Sequence, residues 1–408
     1  MIKKEKLALI GGTLIDGTGK GPLEDAIVVI EGSKIADIRK GNNTEIPNGC
    51  KRIDASGLTI LPGLIECHLH LTGCRSEHPL SSKGIVEPKL LRAMRAVADA
   101  WKVLDVGFTT ARDMGSTNAI YLKRTIKEET TIGPRIIASG RALGRTGGHA
   151  DLRRDIYELP NEFVKESLSA SEVCDGVDGV RKAVRKQIGM GADCIKFFAS
   201  GGGTWEKDRM EDQQFTLEEM KTIVDEAHMC GMKVAAHVEG LSSVRAVVEI
   251  GVDTIEHGVV LDEKLCKKIV KKNIILVPTI SHYYARRQTH PSAWEIQQKS
   301  FKMARSVGVK IALGSDAIIE PMTPYGRYNI GEIKKLVDAG MTPMEAIVSA
   351  TKISSEALGM EDKIGTLEKG KLADILMVEG NPLDDITLLL DKGNIKKIIK
   401  EGKTMRRL

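Results

Sequence analysis

Two histidines separated by a single residue, His68 and His70, follow a short apolar run in this 408-residue sequence. The run, residues 58–61, is typical of a strand that is buried on both faces. Residues two apart on a strand point to the same face, so the two imidazoles project together from its end. Such a rigid pair suits a divalent metal ion. The alternative is two surface histidines at a polar strand end, and further ligands must decide between the two.

Further polar residues occur inside or just after other apolar, strand-like runs; they are Lys196, His237, His257 and Asp316. Taken singly, each has a structural explanation, as a satisfied core histidine, a snorkelling lysine or a helix-capping aspartate. Six such residues, counting His68 and His70, at the strand ends of one domain favour a shared metal site. The histidines at 78, 228 and 290 fall in predicted loops or helices, where we expect structural or surface roles.

The elements that must position these residues alternate between strand and helix. Eight strand-like runs occur between residues 58 and 314, and helical patterns separate several of them, most clearly at 217–229, 241–250 and 264–271. This alternation predicts a (β/α)8 TIM barrel, in which catalytic residues lie at the C-terminal ends of the strands. The six polar residues fall at those ends.

Short strands separated by Gly and Asp turns recur at both ends of the chain. We therefore expect one small β-sandwich domain built from residues 1–62 and 363–408, with the barrel at 63–362 inserted between its two parts.

Composition excludes several classes of protein. The net charge of +5 is spread along the chain without a basic block interleaved with aromatics, which argues against nucleic-acid binding. No uncharged run approaches the roughly 20 residues that cross a bilayer. Seven cysteines without a Cys-x-x-Cys pair, and no secretory signature, favour reduced thiols in the cytoplasm.

The chain resembles the amidohydrolase superfamily of metal-dependent hydrolases along nearly its whole length. The segments similar to its first-strand, eighth-strand and return-strand signatures are residues 62–70, 314–317 and 370–375. Three further segments are similar to the imidazolonepropionase-like branch, which contains Xaa-Pro dipeptidases and zinc-dependent Xaa-Arg/Lys carboxypeptidases; they are residues 107–113, 146–149 and 195–202.

This resemblance implies a binuclear centre in which Lys196, carboxylated by carbon dioxide, bridges two divalent metal ions. It also implies that one ion is held by His68, His70 and Asp316 and the other by His237 and His257. A buried lysine beside cations is driven to lose its proton and can then react as an amine, which makes the carbamate chemically reasonable. Zinc is the expected metal, with manganese or another divalent ion left open. By analogy, we also expect a homo-oligomer.

The expected reaction is metal-assisted hydrolysis of an amide bond. Asp316 would take the proton of the attacking water and pass it to the leaving amine. His149, in a Gly-Gly-His turn, could contact the carbonyl or the developing oxyanion, or could simply be a turn histidine. Tyr283 could add a hydroxyl group, or be a loop aromatic.

Substrate choice depends on charged residues near the strand ends. Glu239 lies two residues beyond His237, so an extended strand would direct its carboxylate to the same rim, where it could pair with a cationic group. Arg112, Arg153 and Arg154 are candidates for holding a substrate carboxylate through the guanidinium fork. We therefore expect a small peptide or N-acyl amino acid substrate, with a C-terminal Arg or Lys favoured.

Two alternatives remain open from the sequence. The same metals could serve a prolidase or a cyclic-amide hydrolase of the imidazolonepropionase type. Alternatively, the protein could be a non-catalytic relative that keeps the barrel as a structural scaffold, although this chain retains the full set of ligands.

Overall fold

The computed structural model describes residues 5–41, 46–76, 87–151, 171–203 and 207–406. The first nine strands are β1 (Lys6–Leu14), β2 (Leu23–Glu31), β3 (Lys34–Lys40), β4 (Lys51–Asp54), β5 (Leu58–Pro62), β6 (Leu64–Leu69), β7 (Arg75–Ser76), β8 (Phe108–Asp113) and β9 (Arg135–Ala138). The later strands are β10 (Ala142–Gly144), β11 (Ser171–Val173), β12 (Cys194–Phe198), β13 (Lys233–Val238), β14 (Thr254–His257), β15 (Ile275–Val277), β16 (Glu320–Pro321), β17 (Ile375–Glu379), β18 (Ile395–Lys400) and β19 (Lys403–Arg406).

The α-helices lie mainly between residues 89 and 357. They are α1 (Lys89–Asp105), α2 (Thr117–Lys127), α3 (Gly176–Met190), α4 (Leu217–Met229), α5 (Leu241–Ile250), α6 (Glu263–Lys271), α7 (Ile280–Ala285), α8 (Pro291–Val307), α9 (Arg327–Asp338), α10 (Pro343–Val348) and α11 (Ser354–Ala357). The expected helices at 217–229 and 241–250 are confirmed, and α6 begins one residue before its expected start. Side-chain caps fix two of these starts, because Thr216 and Glu219 form a capping box at α4 and Asp262 accepts from the Leu265 N–H at α6.

Strands from both ends of the chain share one mixed sheet. Its order is β19-β18-β17-β5-β1-β2-β3, and β4 pairs with β1. The chain enters and leaves the middle region where β5 and β17 pair antiparallel, with Pro62 opposite Ile375. Consecutive buried residues in β2, from 26 to 30, show that this sheet is covered on both faces.

The middle region contains two larger parallel sheets, with orders β6-β8-β9 and β11-β10-β12-β13-β14-β15, and a short parallel pair of β7 with β16. Leu, Ile, Val and Phe side chains from these strands and from the surrounding helices form the largest apolar core. The two sheets approach each other after β9, where the Asp193 N–H donates to the Ala138 carbonyl over 2.7 Å. The fold is therefore α/β, with parallel strands that end on a common side.

The eighth strand-like run differs from expectation. The expected strand at 310–314 and the residues up to 317 form only isolated parallel bridges, Leu276 with Ile311 and Leu69 with Ala317. The reason is that this segment changes partner, because the Ala312 N–H donates to Leu276 on β15 while the Leu313 carbonyl accepts from Cys67 on β6. The segment thus links the last strand of one parallel sheet to the first strand of the other.

In the part of the chain that the structure describes, no helix is long and apolar enough to cross a membrane.

Candidate metal centre and active site

The structure brings the six sequence-predicted ligands together at the strand ends. His68 lies on β6 and His70 just after it, Lys196 lies on β12, and β13 and β14 carry His237 and His257. All of these side chains, together with Asp316, are buried. The His257 ring centroid is 5.0 Å from that of His68 and 4.5 Å from that of His237. Parallel strands ending at one edge therefore produce the clustering that the sequence predicts.

The donor atoms of this cluster fit a divalent cation. One ligand atom each from His68, His257 and Asp316 lies within 4.8 Å of the others. Asp316 Oδ1 is also 3.5 Å from His68 Nε2 and 3.4 Å from His70 Nε2. Imidazole nitrogens and a carboxylate oxygen at this spacing are the ligands that zinc and related ions prefer.

Burial keeps the imidazoles in the neutral form that metal binding requires. Desolvation lowers the pKa of His68 to about 4 and those of His237 and His257 well below the usual value. Burial alone would raise the pKa of Asp316, but His282, His70 and His68 hold it well below its usual range. Neutral rings around an ionised carboxylate are therefore ready to bind a cation.

Lys196 lies deep in the same cluster, with 1% of its surface exposed. Desolvation lowers the pKa of its ammonium to about 8, against the pull of Glu256 and Asp316. Its Nζ lies 5.4 Å from the centre of the Phe198 ring, and no hydrogen bond or ion pair of Nζ is found within the described ranges. A buried amine in this position has little to retain its proton.

A second layer of side chains orients His68. Its Nδ1 lies 2.7 Å from Glu256 Oε2, which fixes the proton on Nδ1 and leaves Nε2 to face Asp316. Glu256 Oε1 in turn accepts from Arg112 over 2.7 Å. Although burial opposes ionisation, Arg112 and His68 lower the pKa of Glu256 to about 2.

The expectation that Arg112 binds substrate is corrected by these contacts. The guanidinium is 1% exposed and donates to the Cys67 carbonyl, Thr254 and Glu256. It does not line the cavity, because its position on β8 directs the side chain beneath the six candidate ligands rather than towards the cavity. Arg153 and Arg154 lie outside the described residues.

The backbone at the rim is strained at three non-glycine residues. His257, Thr279 and Asp316 have φ values of 72°, 47° and 59°. His257 Nδ1 lies 2.7 Å from the Thr279 hydroxyl, so the side chains of two of the strained residues are hydrogen-bonded to each other. Strain of this kind costs about 1–3 kcal/mol per residue and concentrates at functional sites.

His149 joins the site from the loop after β10. Its ring stacks on His237 at 4.6 Å between centroids, and its Nδ1 lies 2.7 Å from Asp208 Oδ2. A Cβ at Gly202 would lie only 2.4 Å from this ring, so only glycine permits the approach. The remaining nitrogen, Nε2, is available for a substrate.

Glu239 and Tyr283 form a buried pair on the cavity side of His237. The Tyr283 hydroxyl donates to Glu239 Oε1 over 2.7 Å, while Glu239 Oε2 is buried without a hydrogen-bond partner among the described residues. Burial raises the pKa of Glu239, against the hydrogen bond from Tyr283. A buried carboxylate oxygen without a partner is costly, and a donor on a ligand would relieve that cost.

Two residues of the site escaped the sequence analysis. His282 Nδ1 lies 3.0 Å from Asp316 Oδ2, and Arg286 lies 3.1 Å from the other ring nitrogen of His282. His282 lies on α7 and Arg286 just after it, in the segment that follows β15, and this position could have revealed them, as it did Tyr283. By contrast, His228 forms a surface contact with Asp253 and His290 is exposed, as expected.

These side chains enclose a cavity of about 180 Å³. Its lining from the described part of the chain combines the metal cluster with His149, Phe198, Glu239, His282, Arg286 and Ile318. Acidic, basic and apolar side chains all contribute to this lining.

Comparison with known proteins identifies the family. The profile of the Amidohydrolase family matches residues 59–405. The chain is 31% identical to ochratoxinase of Aspergillus niger over 98% of this chain and 86% of that protein. It is 24% identical to imidazolonepropionase of Shewanella oneidensis, over 94% of this chain and 93% of that protein. A crystal structure of a Xaa-Pro dipeptidase superposes with a TM-score of 0.87 at 33% identity, covering 98% of this chain and 100% of that one. This chain therefore belongs to the amidohydrolase family of metal-dependent hydrolases.

Proposed function

We propose that this amidohydrolase cleaves the amide bond of a small peptide or N-acyl amino acid, with a C-terminal Arg or Lys preferred. The observation that carries the preference is Glu239 Oε2, a buried carboxylate oxygen on the cavity wall without a hydrogen-bond partner in the described ranges. A guanidinium or ammonium group on the substrate would supply the missing donor and the opposite charge.

The donor set supports a binuclear centre with zinc as the first choice of metal. His68, His70 and Asp316 would hold one ion, and His237 and His257 the other. When bound, such ions supply Lewis acidity and lower the pKa of water to about 7.

Lys196 would bridge the two ions after its amine adds to carbon dioxide and loses a proton, which gives a carbamate. Its burial at the centre of the cluster supports this step. The added mass of one carbon dioxide on a peptide containing Lys196, measured under conditions that preserve carbamates, would test it.

The remaining residues would act on the proton and on the carbonyl group. Asp316 would take the proton of the attacking water and deliver it to the leaving amine. Asp208 orients His149, and in the imidazolium form His149 Nε2 would donate a hydrogen bond to the carbonyl oxygen.

The architecture behind this chemistry would be a closed (β/α)8 barrel at residues 63–362. The hydrogen bonds of segment 310–317 to both neighbouring strands support closure on that side. The mixed sheet would belong to a small domain made of residues 1–62 and 363–408.

Two measurements test the function as a whole. Metal analysis of the purified protein should find bound divalent ions, and a library of dipeptides and N-acyl amino acids should contain a substrate.

A prolidase or a cyclic-amide hydrolase remains the second candidate because of the similarity to a Xaa-Pro dipeptidase and imidazolonepropionase. Xaa-Pro dipeptides, imidazolonepropionate and ochratoxin therefore belong in the screen. Near-zero metal content in a carefully handled sample would favour a non-catalytic relative.

Glu239→Gln tests the substrate preference. Loss of the negative charge should lower kcat/KM for Xaa-Arg and Xaa-Lys dipeptides by about 10- to 100-fold, and for neutral dipeptides much less. Glu263→Gln, at an exposed pair with Lys267 on α6, is the matched control and should change neither. Equal losses for basic and neutral dipeptides would contradict the proposed role of Glu239.

A further inference from the structure

Three side chains connect the cavity wall to the metal cluster: Arg286, His282 and Asp316. An Arg286 nitrogen lies 3.1 Å from His282 Nε2, and His282 Nδ1 lies 3.0 Å from Asp316 Oδ2. Both His282 and Arg286 line the cavity, on and just after the short helix α7. Neither residue is among the six ligands.

The direction of the hydrogen bonds follows from the donors. A guanidinium group can only donate, so the His282 nitrogen that faces it must accept. The ring proton then lies on Nδ1, where it meets a carboxylate oxygen of Asp316. His282 therefore holds Oδ2 of Asp316, while Oδ1 faces the two imidazoles of His68 and His70.

Arg286 is also an arginine of the cavity lining whose hydrogen-bond partners are neutral groups. Its second terminal nitrogen donates to the Gly203 carbonyl over 3.3 Å, and within the described ranges it forms no ion pair. Arg112, by contrast, is fully paired with Glu256 beneath the cluster. A half-buried guanidinium with only neutral partners gains most from a carboxylate that arrives with the substrate.

We propose that Arg286 binds the free carboxylate of the substrate and, through His282, orients Asp316 for proton transfer. Arg286 is thus a specificity residue and His282 a positioning residue. The inference rests on the proposed amide hydrolysis and assigns the residue that would bind the free carboxylate next to the scissile bond. A substrate carboxylate that fixes Arg286 also fixes His282, so binding and base orientation are coupled.

Matched pairs of substrates test the carboxylate subsite. Each pair is a dipeptide and the same dipeptide with a C-terminal carboxamide, assayed with wild type, Arg286→Met, Arg286→Lys and Arg287→Met. Wild type should prefer the free acid by about 10- to 100-fold, as expected for one charge-assisted contact. Arg286→Met should bring the ratio close to one, and Arg286→Lys should restore part of it.

Arg287→Met is the control because Arg287 stacks on Tyr284, with 3.8 Å from its guanidinium carbon to the ring centre, and does not line the cavity. It should keep the wild-type ratio. An unchanged preference for the acid in Arg286→Met would overturn the assignment.

His282→Phe tests the orientation of Asp316. It should lower kcat by about 10-fold or more while KM for the free acid and the bound metal content stay near wild type. Wild-type kcat in this variant would overturn the positioning role, and so would loss of metal, because His282 would then act as a ligand.

A binding measurement separates this inference from the proposed function. Calorimetric titration of the metal-loaded protein with free arginine and with argininamide needs no turnover. Wild type should bind the acid about 10-fold more tightly or better, and Arg286→Met should not discriminate. If wild type hydrolyses no amide but binds arginine more tightly than argininamide, the proposed reaction is wrong and the carboxylate subsite is supported. If wild type hydrolyses amides and binds both equally, the subsite fails and the reaction stands.

Discussion

At the scale of single residues, the partners of a side chain decide its role more than its type does. Arg112 and Arg286 are both arginines close to the candidate site, but Arg112 forms a buried ion pair with Glu256 and Arg286 lines the cavity. Glu256 links Arg112 to His68, and its acceptor oxygens keep the His68 proton on Nδ1. The nitrogen of His68 that faces the candidate metal site is therefore set by Glu256, which is not one of the six candidate ligands.

Glu256→Gln should disturb this arrangement without a change in size. If the amide oxygen stays on Arg112, the amide nitrogen faces His68 and forces the proton to Nε2, which blocks the metal-binding atom. We expect metal affinity to fall by about 10- to 100-fold in a chelator competition titration. Glu263→Gln should leave it unchanged. Unaltered affinity in Glu256→Gln would show that the tautomer of His68 is fixed in another way.

At the scale of elements, helix α7 brings His282 and Tyr283 to the rim. It begins directly after Thr279, and its first two buried N–H groups, at Ile280 and Ser281, donate to the carboxylate of Glu332 on α9 over 2.8 and 2.7 Å. A six-residue helix has little stability of its own, so this contact from a neighbouring helix anchors it.

Glu332→Ala should therefore loosen α7 while leaving the metal ligands in place. Two buried donors would lose their acceptor, which should lower the free energy of unfolding by about 2–5 kcal/mol. We also expect kcat to fall with near-normal metal content, because the ligands lie on other elements. Chemical denaturation, metal analysis and kinetics would measure the three effects. Glu295→Ala, at an exposed position of α8, is the control. A loss of metal as large as the loss of kcat would contradict the prediction that α7 can loosen without disturbing the candidate ligands.

At the scale of the whole molecule, the site exists only when the fold is complete. Its ligands span residues 68 to 316 and come from both parallel sheets and the segment between them. Folding therefore buries several imidazoles together, and each is held neutral by desolvation. In the metal-free protein, no bound cation offsets the free-energy cost of burying these imidazoles.

The stability of the metal-free protein should consequently depend on pH. The folded pKa of His68 is about 4, below its ordinary value of 6.5, and those of His237 and His257 are lowered in the same direction. At these three histidines the unfolded chain binds more protons than the native state below pH 6.5, so their contribution to the free energy of unfolding should fall as the pH drops from about 6.5 towards 4. Burial raises the pKa values of Glu66, Asp113 and Glu332 to about 7, 6 and 7, so these carboxyl groups contribute in the opposite direction. Added metal should protect above this range and dissociate within it.

Denaturant titrations at several pH values, with and without metal, would measure this dependence. The triple variant His68→Asn, His237→Asn and His257→Asn should lack the histidine contribution, so its stability should fall less than that of wild type on acidification. A difference in the free energy of unfolding between wild type and this variant that stays constant from pH 7 to pH 5 would contradict the prediction.

The sequence alone determined the family, the α/β alternation and the clustering of the metal ligands. These follow from local rules, because hydrophobic runs mark strands and parallel strands deliver their last residues to one edge. His68, His70 and His237 could be located in this way without knowing any contact. The run at 310–314 was also located, although the structure forms isolated bridges there rather than a strand.

Only the tertiary structure decided which charged residues face the cavity. Whether Arg112 points beneath the ligand cluster or into the cavity depends on Glu256, which lies 144 positions away along the chain. The link from Arg286 through His282 to Asp316 likewise joins a short helix to a distant extended segment. The physical reason is that hydrophobic periodicity fixes where a backbone runs, whereas the direction and partners of a polar side chain are set by packing between elements far apart in sequence.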